Sequence, residues 1–168
     1  MSKVCHILLV CTGNICRSSM AEALAKKILR ESFPDISDRI RISSAGVSAV
    51  EGLPASRGAI EILKSRGIDL SDHGSRLVTV PMIERSDLIL TMSRDQRERI
   101  KEVSPASASK VFILKEFNLL QSGISAETQH YDVDIADPGG GSAEVFEACV
   151  DELEKELKAV FEGWRKKS

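Results

Sequence analysis

Ile7-Leu8-Leu9-Val10-Cys11-Thr12-Gly13-Asn14-Ile15-Cys16-Arg17-Ser18 is the stretch on which the reading of this chain turns. Ile7 to Val10 is an unbroken apolar run, the signature of a buried strand. Beyond Ser18, Met20, Leu24 and Ile28 recur at helical spacing with Ala21, Ala25 and Leu29 beside them. A strand, a glycine-containing turn and a helix in succession aim several backbone N–H groups at one point, which is a site for an anion. Cys11 opens that turn and Arg17 closes it. A helix N-terminus favours the thiolate of a nearby cysteine and so makes it a nucleophile. Arg17 keeps its charge and offers a planar fork that matches two oxyanion oxygens. Gly13 lets the backbone approach the anion, and Asn14 tolerates a left-handed conformation. Ser18 has two uses, donating to the sulfur and capping the helix.

The pattern Cys-x5-Arg is weak alone, since an inert buried thiol at a strand end fits it too. The flanking elements, with Gly13 and Ser18 in place, make it specific. The segment resembles the phosphate loop of the low-molecular-weight protein tyrosine phosphatase family. Met20-Ala21-Glu22 is similar to the start of that family's first helix, and Ser44-Ala45-Gly46 to the end of its second strand. His73 stands where a family histidine supports the loop, and Asp137-Pro138 resembles its mobile acid loop. These landmarks run from Cys5 to about Cys149, nearly the whole chain.

The resemblance implies a metal-free, cofactor-free phosphatase that works through a phosphocysteine. Cys11, Arg17 and Asp137 are the expected catalytic residues. Thr12, Gly13, Asn14, Ile15, Cys16 and Ser18 are expected to line the bound phosphate. Ser44 and His73 are expected to hold Asn14 by hydrogen bonds. From residue types alone, Asp137-Pro138-Gly139 reads equally well as a turn before a helix, and His73 as a surface residue. Asp134 is a second carboxylate within reach of the same loop.

Two features pull the expected substrate apart. Ile15 matches the tyrosine-directed loop, where a β-branched aliphatic group suits an aromatic ring. The run from Asp137 to Ser142 resembles a bacterial branch of the family that removes phosphate from arginine, a branch with threonine at the position of Ile15. Three glycines follow Asp137-Pro138 where tyrosine-directed relatives carry aromatics. Val50 and Leu53 are the nearest candidates for the opposite wall. Phosphotyrosine ranks first because Ile15 lines the pocket itself, with phosphoarginine as the alternative. Arsenate reduction on the same scaffold needs further resolving cysteines, and none occurs between Cys16 and Cys149. A phosphate-binding module without activity is the remaining reading. No Gly-x4-Gly-Lys-Ser/Thr loop for nucleotides is present.

The bulk composition bounds the rest. At 168 residues, 42% hydrophobic and 29% charged, the chain reads as a single domain over 1–168 with a core of its own. A net charge of −2 gives no reason to expect nucleic acid or an anionic membrane as partner. The expected partner is a phosphorylated protein or peptide; oligomeric state is left open. No export signal precedes the first apolar run, so the four cysteines are expected to be reduced thiols in the cytoplasm. Cys11 and Cys16 share one loop and suit a reversible disulfide. Cys5 and Cys149 are expected in the core, and no paired ligand spacing suits zinc.

Strands are expected near 7–10, 39–43, 87–91 and 111–114. Helices are expected after Ser18, Ser56, Thr79, Ser93 and Ser142, with a loop from Asn118 to Asp137. Ser93 and Gln96 form a capping-box pattern. The long last helix is expected to bury Val145, Cys149, Leu153, Val160 and Trp164. Alternation of this kind gives an α/β fold: a four-stranded parallel sheet with helices on both faces, and the phosphate loop at the end of the first strand.

Overall fold

The computed structural model describes residues 3–125 and 131–168. In chain order it forms β1 (Cys5–Cys11), α1 (Arg17–Ser32), α2 (Pro34–Ser37), β2 (Ile40–Gly46), α3 (Arg57–Ser65) and α4 (Val80–Arg85). There follow β3 (Leu88–Thr91), α5 (Arg94–Val103), a 3-10 turn (Pro105–Lys110), β4 (Val111–Ile113), α6 (Leu114–Gln121) and α7 (Ala143–Lys167). The sheet is parallel in the order β2-β1-β3-β4. The chain leaves β1 towards one neighbour and later returns on its other side. The C-terminal end of β1 is therefore the topological switch point, where such sheets bind ligands.

Alternation along β1 divides the core. Ile7, Leu9 and Cys11 pack with α1, α3 and α7, while Leu8 and Val10 pack with Ile83 of α4, Ile100 of α5 and Ile89. Helices thus cover both faces, and Cys11 lies on the same face as α1. Phe33 and Phe161 meet edge to face at 5.8 Å and fasten the end of α1 to α7. Ser56 and Thr79 cap α3 and α4 through their side chains.

The structure departs from the sequence reading in several places. Ser18 does not cap α1. Cys16 holds the N-cap position and makes no side-chain capping bond, while Ser18, inside the helix, turns its hydroxyl inward to Cys11. The expected loop from Asn118 begins inside α6, which the apolar run through β4 disguised; 126–130 lie outside the described residues. Val145 on α7 is 46% exposed, and the buried stripe runs through Phe146, Cys149, Val150, Leu153, Leu157, Val160 and Phe161. Cys149, Leu153 and Val160 belong to that stripe as expected and Trp164 packs half-buried against the same core, so Val145 alone falls outside it.

Among the described residues, no helix is long and apolar enough to cross a membrane.

Candidate active site

β1 ends at Cys11, and α1 begins at Arg17 with the N–H groups of its first turn free of a side-chain cap. Those unpaired donors are what an oxyanion needs. The Cys11 sulfur is buried, 2.8 Å from the Ser18 hydroxyl, and the Asn14 N–H donates to it at 3.2 Å.

The direction of each proton follows from Asn14. This residue is fully buried in the left-handed region, at φ 57°. Its Nδ2 donates to Ser18 Oγ at 2.8 Å and to Ser44 Oγ at 3.0 Å, while its Oδ1 accepts the Arg76 N–H at 3.0 Å. Ser44 gives its own proton to Glu22. The Ser18 hydroxyl accepts from Asn14, and its proton is left for Cys11, the nearer neighbour, over the Ala45 carbonyl at 3.4 Å. The Asn14 carbonyl takes a 2.6 Å hydrogen bond from His73 Nε2, so this ring nitrogen carries the proton. Every polar group of a backbone-strained residue is thereby engaged, which is how such a conformation persists.

Gly46 supplies the clearance beneath the loop. A Cβ there would lie 2.4 Å from the Thr12 carbonyl and 2.9 Å from the Asn14 nitrogen. The strand instead runs against the loop, and Val47 and Ser48 donate backbone N–H groups to the Cys11 and Thr12 carbonyls at 3.0 Å each.

Arg17 is 7% exposed, and its Nη1 donates to the Ile135 carbonyl at 2.9 Å. Its Nη2 lies 3.9 Å from Asp137 Oδ2, on a carboxylate that is 62% exposed. The two are within Coulombic reach without a direct hydrogen bond. Asp137 Oδ1 accepts the Gly139 N–H at 3.0 Å, and Gly141 N–H bonds the Pro138 carbonyl at 2.8 Å. Gly140 at φ 76° allows this tight turn. Asp134 is turned away: its Oδ1 accepts the Arg94 N–H at the start of α5.

The remaining positions spread around this centre. Thr12 is exposed at the loop's start, and Ile15 is half-buried and packs against the main core. Val50 and Leu53 project outward, 63% and 43% exposed. Cys16 donates its S–H to Ser56 Oγ at 3.0 Å; burial pushes its thiol up, with the Ser56 bond opposing. Burial also raises Cys149, to about 12, and Cys5. All four cysteines are free thiols.

Several residues beside this centre have no site role in the sequence reading. Glu22 lies one helical turn beyond Ser18 on α1, a spacing that places both on one face and gave the available signal. Gln96 and Ser56 read from the sequence only as residues at helix starts, and Arg76 and the Ile135 carbonyl carry no sequence signal.

Comparison with known proteins agrees with this geometry. The family model described as low molecular weight phosphotyrosine protein phosphatase matches residues 6–168. A probable low molecular weight protein-tyrosine-phosphatase, EpsP of Ralstonia nicotianae, is 37% identical over 153 residues, covering 91% of each chain. A protein-arginine-phosphatase of Geobacillus stearothermophilus is 40% identical over 149 residues, covering 89% of this chain and 88% of that one. The crystal structure of a low molecular weight protein tyrosine phosphatase from T. tengcongensis superposes with a TM-score of 0.81 at 33% identity, covering 94% of this chain and 98% of that one. With a cysteine and an arginine bracketing an anion cradle at the switch point of the sheet, the chain belongs to the low-molecular-weight phosphotyrosine protein phosphatase family and is a cysteine-dependent phosphatase.

Proposed function

We propose that the chain hydrolyses phosphotyrosine in proteins through a phosphocysteine on Cys11. The observation that carries this reading is the Cys11 sulfur held between the Asn14 N–H and the Ser18 hydroxyl at the open N-terminus of α1, with Arg17 alongside. The Cys11 thiolate attacks phosphorus in line, while Arg17 and the loop amides from Thr12 to Ser18 hold the equatorial oxygens. Asp137 gives its proton to the departing phenolic oxygen and then takes one from the water that cleaves the phosphocysteine. Ser18 donates to the sulfur as it leaves. Ser44 and His73 act through Asn14, keeping the loop in its strained form. No metal enters the mechanism. The four free thiols support a reducing, cytoplasmic setting.

Phosphotyrosine comes first because Ile15 presents an aliphatic surface at the loop. Phosphoarginine is the second reading. It is favoured by the Gly139-Gly140-Gly141 run in place of ring-stacking aromatics, and by a relative named as a protein-arginine-phosphatase. Paired turnover of phosphotyrosine and phosphoarginine peptides by wild type and Ile15→Thr tests the choice. Wild-type preference for phosphotyrosine, moving towards phosphoarginine in the variant, supports Ile15 as selector. Wild-type preference for phosphoarginine overturns it.

A further inference from the structure

Gln96 is a polar side chain on α5, only 2% exposed, and both ends of its amide are engaged. Its Oε1 accepts the Met92 N–H at 2.9 Å, and its Nε2 donates to Thr12 Oγ1 at 3.1 Å. The Met92 N–H can only donate, so the oxygen faces it and the NH2 group faces Thr12. A capping box would return the side chain to the Ser93 N–H; this one reaches across to the phosphate loop instead.

Met92 is also the residue through which the far side of the site is held. Its carbonyl accepts the Ile135 N–H at 2.8 Å, and the Ile135 carbonyl accepts Arg17 Nη1 at 2.9 Å. The line Thr12, Gln96, Met92, Ile135, Arg17 therefore joins the first residue after the nucleophile to the guanidinium that closes the loop. The same Ile135 segment leads directly into Asp137. We propose that Gln96 is a positioning residue for phosphate binding: its amide clamps Thr12, at the start of the loop, to the Met92–Ile135 backbone that orients Arg17. Gln96 acts only through these groups.

A helix-start role alone is the competing explanation, and it is separable. The Met92 N–H also donates to the Val10 carbonyl at 3.1 Å, so an apolar residue at 96 leaves that N–H paired. Gln96→Met keeps the length of the side chain and removes both hydrogen bonds. The expected result is a fall in kcat/KM of roughly 10- to 100-fold, the scale of a small misplacement of reacting groups. Vanadate inhibition, which reads the cradle directly, weakens by a comparable factor. The loss is equal across aryl phosphates of differing leaving-group strength, because the phosphoryl group and not the acid is misplaced. Thr12→Val removes the other end of the clamp at an exposed position, so it carries the same vanadate test even if Gln96→Met fails to fold. The double variant loses no more than the larger single one, since both break one link.

Gln96→Met that lowers Tm but keeps wild-type kcat/KM and vanadate affinity overturns the proposal, as does a double variant whose losses multiply. The proposal rests on the reading of Arg17 and the loop as the phosphate site, and Arg17→Lys is the control for that reading. Vanadate affinity lost in Arg17→Lys but kept in Gln96→Met and Thr12→Val sinks the clamp and leaves the site standing. Vanadate affinity kept in Arg17→Lys overturns the site reading and the clamp together.

Discussion

Single side chains divide here into those proposed to meet the phosphate and those whose hydrogen bonds hold the others in place. Cys11→Ser is expected to abolish turnover while far-UV CD and Tm stay near wild type, because a hydroxyl fits the space but is a poor nucleophile. Asp137→Ala should lose most activity on substrates with poor leaving groups; an equal loss along a series of aryl phosphates counts against Asp137 as the acid. The thiols differ in environment in a way that alkylation reads out. Iodoacetate, an anion that the cradle attracts, is expected to modify Cys11 with loss of activity at pH 7. Cys149, with its thiol raised to about 12 by burial, is expected to stay unmodified in the native protein. Peptide mass mapping checks both.

Among the elements, the junctions carry more than the interiors. Gly46 ends β2 directly beneath the phosphate loop, and the contact a Cβ would make at 2.4 Å is with the Thr12 carbonyl, which cannot rotate aside. Gly46→Ala is expected to cost about 1–3 kcal/mol, as overpacking does, and to impair kcat/KM by pushing the loop; urea denaturation and kinetics measure the two effects. Ser56 accepts at once from the Ala59 N–H, which starts α3, and from the Cys16 thiol. Its own N–H bonds the Ile15 carbonyl at 2.8 Å. Ser56→Ala should cost about 1 kcal/mol as a lost helix cap.

For the molecule as a whole, the packing of α7 across α1 and α3 completes the core, and Leu153, fully buried within it, is the expected weak point. The acid side of the stability profile has an identifiable contributor at the start of the sheet. Asp87 accepts from Lys3 Nζ at 2.7 Å and from the His6 N–H at 2.9 Å, and these bonds hold its carboxyl below the usual range. A lowered folded-state pKa means stability that is present above the unfolded value, near ~3.9. It is lost as pH falls through that value towards the folded one. Asp87→Asn is expected to flatten the fall in Tm between about pH 5 and 3, and an unchanged slope would show that other carboxylates govern that limb.

Much of this was legible in local sequence because the determinants are local. The Ile7–Val10 run, the Gly13 turn and the helical spacing after Met20 lie within one strand-turn-helix unit, so hydrophobic period and backbone chemistry define it without help from the rest of the chain. The caps at Ser56 and Thr79 are equally short-range. The errors arose where a side chain had two possible partners. Ser18 reads as a cap and is committed to Cys11; Gln96 reads as half a capping box and reaches Thr12, 84 positions away. Leu114 belongs by composition to a strand and in space to α6, because β4 stops after three residues. The sequence by itself thus determined the alternation of elements and the turn that sets Cys11 and Arg17 at its two ends, since periodicity and turn chemistry act over a few residues. Only the tertiary structure decided which hydroxyl serves the sulfur, which carbonyl aims Arg17 and which amide fixes Thr12. Those choices depend on donors and acceptors that the sheet brings together from distant parts of the chain, and a buried polar group takes whichever partner packing leaves within reach.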